Sequence, residues 1–249
     1  MIQNMRIYQV FHKQFEAVGS SDWIFPIAVG NFSDKSFLND RTGNSISNLN
    51  SFYCELTAIY WIWKNTKSKY IGIYHYRRYL SNLADAILRN QEYATSVAAS
   101  SSNIAYLTSQ EQKAAIERKL EIFDIVVPRN FPHYPSVTEQ YLAIQEKEPW
   151  LVFLEETKKY FPNCAPPEEF FGLTTSATLC NMFVTRWEIF DSYCCDLFTI
   201  IGRVFEKIGP KFSDDNKNRY PGYLAERFLG YWIYIKRLTS HEVPMAILI

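Results

Sequence analysis

Several short segments combine side-chain types that can bind or transform a phosphorylated, polyhydroxylated ligand. His75-Tyr76-Arg77-Arg78 follows the apolar run Tyr70-Ile71-Gly72-Ile73-Tyr74. Read as a continuing strand, it puts His75 and Arg77 on one face and Arg78 on the other. Two guanidiniums at a strand end suit bidentate binding of a diphosphate. A histidine beside them can ligate a divalent metal or donate to a phosphate oxygen. The same residues also read as a basic strand end paired with acidic neighbours. A second segment, Asp40 to Asn50, carries Asp40, Asn44, Ser47 and Asn50 ahead of a helix. Such groups suit a base edge and ribose hydroxyls, and a helix N-terminus favours an anion. A long turn with an N-cap is the plainer reading.

Two further segments are candidates. Gly222, Glu226 and Gly230 are spaced four apart and share a helix face. Glycines flanking a carboxylate would form a notch in which Glu226 deprotonates an acceptor hydroxyl. Tight helix packing, with Glu226 and Arg227 in ion pairs, explains the same spacing. Asn181-Met182 on an apolar strand, and His12-Lys13 after the first strand, either touch ligand or serve the core and the surface. Other chemistries lack their motifs: there is no G-x-x-x-x-G-K-[ST], G-x-G-x-x-G, G-x-S-x-G or H-E-x-x-H. No D-x-D pair stands at a strand end, and Asp214-Asp215 sits in a polar stretch.

The bulk composition agrees with a packed domain. The 249 residues are 47% hydrophobic and 21% charged, which suits one globule and excludes disorder. Lys plus Arg equals Asp plus Glu, 26 each, so no electrostatic footprint for nucleic acid exists. Single-strand binding through Tyr74, Tyr76 and Arg77 is disfavoured for that reason. Cys54, Cys164, Cys180, Cys194 and Cys195 are odd in number and lack zinc spacing, which reads as reduced thiols and a cytoplasmic location. Met1 to Val10 lacks a signal-peptide apolar region, and no window has the length of a membrane span.

Periodicity supplies the elements that must position these residues. Strands are expected over Met5–Phe11, half-buried by its alternation, and over Ile24–Val29, Tyr70–Tyr74, Phe123–Pro128 and Thr178–Thr185. Asn31–Asn50 reads as a long loop, and Ala94–Ser102 as a loop or loose helix end. Helices are expected from a Ser51 cap to Asn65, from a Thr108–Glu111 capping box to Leu120, and after a Ser136–Glu139 box. Trp150–Tyr160, Trp187–Ile208 stopped by Gly209-Pro210, and a helix from Pro221 to Arg237 complete the set. Alternating strands and helices predict an α/β domain with a mostly parallel central sheet flanked by helices. The loops after Phe11, Val29, Tyr74 and Pro128 then gather at the carboxyl edge, where such sheets bind ligands.

The blocks Asn44-Ser45-Ile46-Ser47, Tyr53-Cys54-Glu55-Leu56-Thr57, Tyr60-Trp61-Ile62-Trp63-Lys64-Asn65, His75-Tyr76-Arg77-Arg78, Phe123-Asp124-Ile125, Asn181-Met182-Phe183 and Gly222-Tyr223-Leu224-Ala225-Glu226-Arg227 occur in an order that resembles a bacterial family of capsular and exopolysaccharide glycosyltransferases. Some of its members look like galactofuranosyltransferases. The resemblance implies a single GT-A-like, Rossmann-like domain over residues 1–249. Residues 1–130 would be its nucleotide-sugar half and 131–249 its helical acceptor half. It implies transfer of a sugar from a UDP-type donor to a glycan or polyprenyl-linked acceptor, at the inner face of the membrane. The alternative is a non-catalytic nucleotide- or carbohydrate-binding module on the same fold. On the resemblance, His12, Lys13, Gly30, Asp40, Asn44, Ser47, Asn50, Glu55, His75, Arg77 and Arg78 face the donor. Asn181, Met182 and Arg227 face the sugar or acceptor, and Glu226 is the base. Mn or Mg would be the metal, with His75 its candidate ligand.

Overall fold

A computed structural model describes residues 4–15, 21–81, 93–178 and 180–249. The strands are β1 (Met5–Phe11), β2 (Ile24–Ala28), β3 (Leu38–Asn39), β4 (Tyr70–His75), β5 (Arg78–Leu80), β6 (Ala94–Val97), β7 (Ile125–Pro128), β8 (Phe131–Pro132), β9 (Ser176–Ala177), β10 (Phe183–Arg186), β11 (Ser240–Val243) and β12 (Met245–Leu248). The helices are α1 (Asn50–Tyr53), α2 (Leu56–Asn65), α3 (Ser101–Leu107), α4 (Gln110–Leu120), α5 (Val137–Leu142), α6 (Lys147–Tyr160), α7 (Pro167–Leu173), α8 (Trp187–Ile208), α9 (Asp215–Asn218) and α10 (Tyr220–Ile235).

Among the described residues, ten strands form one sheet whose main path runs β11-β7-β10-β4-β1-β2-β3. β1 pairs in parallel with both β2 and β4, placing Ile7 opposite Ile24 and Gly72. β7 and β11 are also parallel, whereas β10 lies antiparallel between β4 and β7. The expected mostly parallel sheet is therefore present, with one reversed strand near its middle. A side branch leaves β4: β5 folds back on it, β12 pairs β5, and β6 pairs β12.

Both sheet faces are covered. Ile73, Phe183 and Phe190 pack on one face with Tyr193, Phe228 and Trp232. On the other face Ile7, Tyr74 and Val184 pack with Trp23, Leu120 and Met245. β1 is buried on both sides rather than half-buried, because strands flanked on both faces lose the solvent side that alternation anticipates. Its one long polar residue in that interior, Gln9, is fully buried. Among the described residues no helix is long and apolar enough to cross a membrane.

Four expectations change. The helix expected from Ser51 to Asn65 breaks into α1 and α2 at Cys54, whose φ is +52°. The Asn50 amide donates to the Cys54 carbonyl (2.8 Å) and to Thr57 Oγ1 (2.9 Å) across that break, a local side-chain alternative to the helical ladder. α4 is capped by Ser109, not Thr108, because the Thr108 hydroxyl donates back to Ile104. Within Ala94–Ser102, pairing with β12 makes a strand of Ala94–Val97, and Ser100 caps α3. Tertiary pairing overrides the Ala/Ser composition there. The strand expected over Thr178–Thr185 spans only Phe183–Arg186, since Cys180 and Asn181 take positive φ and turn the chain; Leu179 lies outside the described residues.

Gly72 sits where β4 is flanked most closely. A Cβ there would stand 2.5 Å from Ile7 Cδ1, 2.8 Å from Val184 Cγ2 and 2.9 Å from the Phe183 carbonyl oxygen. Gly72→Ala is expected to destabilise the fold by about 1–3 kcal/mol through overpacking. Urea unfolding measures it, and an unchanged midpoint would contradict the close approach.

Candidate functional site

Because β1, β2 and β4 run in parallel, their carboxyl ends meet at one edge. A cavity of about 510 Å3 opens there, lined after those strands by His12, Val29 and the His75–Arg78 segment. His75 pairs with Arg78, so the segment is a tight hairpin between β4 and β5, not a strand running on. That turn replaces the expected two-faced arrangement: His75, Arg77 and Arg78 all line the same cavity. The Gln9 amide holds the turn from below, donating to the carbonyls of His75 (3.2 Å) and Tyr76 (3.3 Å). The Arg77 guanidinium lies over the Tyr76 ring at 5.7 Å, and His12 meets that ring edge-on at 5.1 Å.

The opposite wall comes from the break between α1 and α2 and from α10. It carries Asn50, Cys54 and Glu55, then Arg219, Gly222 and Glu226. Gly222 packs beside the break, where a Cβ would stand in ordinary contact, 3.4 Å from Cys54 Sγ. Arg219 donates from Nε to that sulfur at 3.0 Å. Burial pushes the Cys54 thiol up to about 12, so the sulfur is a neutral acceptor that brings no negative charge to Arg219. Among the described residues, Arg77, Arg78 and Arg219 make no ion pair.

The carboxylates in the cavity are each held by a specific donor. Asn181 donates from Nδ2 to Glu55 Oε1 at 2.7 Å, and the Cys180 amide donates to Glu226 Oε1 at 3.1 Å. Glu226 Oε2 accepts from Arg227 Nη1 at 2.8 Å, while the Glu226 side chain stays 21% exposed. Burial holds the Glu226 carboxyl above the usual range; nearby Glu55 adds to the rise, and Arg227 only partly offsets it. Burial also lowers His75, with Arg78 adding to the effect against Glu55. His12 is lowered by burial and then by Lys13 and Arg219.

The structure thus brings His12, Asn50, Glu55, His75, Arg77, Arg78 and Glu226 to one cavity. Other sequence candidates do not line it. Asp40 is buried and accepts from Thr57 at 2.6 Å. Asn44 clasps the Asn65 side chain through its main chain, and Ser47 lies in a short 3-10 turn. Gly30 passes under Asn50, where a Cβ would meet Oδ1 at 2.3 Å, and Lys13 lies over the outer ring of Tyr76. These residues shape the loop that the chemistry rests on. Met182 is core, Asn181 supports the cavity from behind by donating to Glu55 and to the Gly222 carbonyl, and Arg227 is buried behind Glu226. The notch expected between Gly222 and Gly230 is absent, because Gly230 faces a different cavity. Arg219, Cys54 and Tyr223 were not anticipated. The signal for Arg219 was a basic residue immediately before a Tyr-Pro helix start.

Among the described residues no three His, Cys, Asp or Glu side chains group closely enough to hold a metal by themselves. The cavity instead offers guanidinium charge, which can neutralise a diphosphate without a protein-bound metal cluster.

A family model described as a domain of unknown function (DUF4422) matches residues 6–237. No curated protein matches. Among solved structures, the apo form of the bifunctional glycosyltransferase WbbM superposes with a TM-score of 0.84 at 26% identity. The match covers 99% of this chain and 45% of that one, so the chain spans less than half of that enzyme's length.

Burial keeps His75 neutral in the fold, whereas the unfolded chain protonates it near pH 6.5. The unfolded state then binds more protons below that pH, so stability falls as pH drops through it. Thermal melts between about pH 7 and about pH 5 are expected to show this fall, shallower in His75→Gln. An equal slope in both proteins would contradict a buried neutral imidazole.

Proposed function

This chain belongs to the DUF4422 family, and we propose that it is a glycosyltransferase that takes a sugar from a nucleotide diphosphate donor. The observation carrying this reading is one cavity that gathers Arg77, Arg78 and Arg219, none of them in an ion pair among the described residues, with a carboxylate of raised pKa, Glu226. The likeness of the fold to part of a glycosyltransferase supports the same reaction class. In this reading the donor diphosphate lies against the His75–Arg78 hairpin, with His12 and His75 as further donors. The nucleoside occupies the Asn50 side, and Glu55, braced by Asn181, meets the sugar.

Transfer breaks the bond between the anomeric carbon and the diphosphate oxygen and forms one to an acceptor hydroxyl. The departing nucleoside diphosphate gains charge as that bond breaks, and preorganised guanidiniums stabilise it. Glu226 takes the proton of the attacking hydroxyl. Its raised pKa suits this role, because a more basic carboxylate accepts a proton more readily. A divalent metal would enter with the donor's own phosphate oxygens, with His75 or Glu55 as the protein ligand. We assign the acceptor to a glycan or polyprenyl-linked glycan of capsule or exopolysaccharide assembly, and UDP-galactofuranose as the first donor to test.

Release of UDP from a panel of UDP-sugars tests the reading. Arg77→Ala and Arg78→Ala are each expected to lower kcat/KM on the order of a hundredfold. Unchanged turnover in both would overturn the diphosphate assignment. Glu226→Gln is expected to lower kcat by about 10²–10⁴ while UDP still binds. In the wild type, kcat should rise with pH through an acid limb lying above the ordinary glutamate value of about 4.3, and the Gln variant should lack that limb. Binding of UDP without turnover of any donor would mark a non-catalytic binding module instead.

A further inference from the structure

The reversed strand β10 divides the carboxyl edge of the sheet. Its amino-terminal approach, Cys180 to Met182, reaches that edge between β4 and β7 because Phe183 pairs with Ile73. The donor cavity lies on the β4 side. On the β7 side is a second cavity of about 360 Å3, within the size range of small-ligand sites. Aromatic side chains of α7 and α10, Phe170, Phe171 and Tyr234, form one wall. Thr178, Glu242 and Arg227 supply polar groups.

Two of those groups are unfinished. Arg227 is 2% exposed and its Nε has no hydrogen-bond partner. Thr178 is 4% exposed and its hydroxyl has none either. A buried polar group left unpaired is costly, so a cavity lined by two of them suits a ligand that supplies the missing partners.

The rest of the lining defines what that ligand is. Arg227 Nη1 is already engaged by Glu226 (2.8 Å) and the Tyr223 carbonyl (2.8 Å) and its Nη2 by Gln140 (2.5 Å), which leaves the unpartnered Nε for a neutral acceptor. Glu242 lines the same space, with Oε1 accepting from the Asn130 side-chain amide at 2.7 Å and Oε2 from its backbone N–H at 3.1 Å, and its charge disfavours an anion. Aromatic faces beside hydroxyl and carboxylate groups match the apolar face and hydroxyl rim of a sugar ring. We propose that this second cavity binds a neutral saccharide unit of the acceptor, next to the unit whose hydroxyl reaches Glu226. This rests on the glycosyltransferase reading above. Arg227 joins the two cavities, since Nη1 holds the Glu226 carboxylate while the same side chain lines the second cavity. A saccharide hydroxyl accepting from Nε therefore fixes the guanidinium that positions the base.

The test uses the full chain and saturation-transfer and titration NMR. The probes are neutral methyl glycosides of glucose, galactose, galactofuranose, mannose and N-acetylglucosamine, with methyl glucuronide as the anionic counterpart. At least one neutral glycoside is expected to bind with Kd on the order of millimolar. Thr178→Val and Tyr234→Ala are each expected to weaken it about threefold to tenfold, leaving UDP affinity unchanged. Tyr234 is 55% exposed, so its variant keeps the test valid if the threonine variant folds poorly. No binding by any neutral glycoside, stronger binding by glucuronide, or indifference to both substitutions would overturn the assignment. Failure of the wild type to bind UDP would sink the donor reading separately, because that titration does not involve the second cavity.

Discussion

Guanidinium charge that, among the described residues, forms no ion pair at the carboxyl edge is the constraint around which this structure is arranged. Arg77 and Arg78 sit at a hairpin and Arg219 at the start of α10, and like charges gathered in one cavity repel. The fold meets that cost with neutral supports rather than carboxylates. A buried amide, Gln9, pins the hairpin carbonyls, an aromatic face underlies Arg77, and a protonated thiol accepts from Arg219. Neutral supports fix the geometry and leave the positive field available to an anion. An ordinary solvated ion pair would consume it.

The carboxylates in the same cavity are handled in the opposite way. Glu55 and Glu226 are tied to Asn181 and to the Cys180 amide, both on the turn that leads into β10. That turn exists because β10 enters the sheet antiparallel at the edge where β1, β2 and β4 end. One topological choice thus keeps the acidic groups at a defined place opposite the hairpin arginines Arg77 and Arg78 and also separates two cavities. Arg227 crosses that division and links them through its guanidinium.

Much of this was legible in the sequence, and the omissions have physical causes. The strand spacing and the polar residues after Phe11, Val29 and Tyr74 pointed to the edge at which the first cavity opens, because parallel pairing forces carboxyl ends together. The His75–Arg78 cluster was visible, but its shape was not. Strand periodicity cannot show that the chain reverses after His75 to pair with Arg78. The break at Cys54 was hidden because it depends on Asn50, Thr57 and Asp40 meeting in three dimensions. That same network explains why several asparagine-rich loop candidates build the scaffold and do not line the cavity. Arg219 escaped notice because its partner, Cys54, is distant in sequence and chemically unremarkable until buried.

A crystal structure of the chain with UDP bound addresses the central claim most directly. The account predicts that the diphosphate oxygens lie within hydrogen-bond distance of the Arg77 and Arg78 guanidiniums, with the uridine toward Asn50. A diphosphate seated beyond β10, or bound away from the hairpin with both guanidiniums still facing solvent, would contradict it.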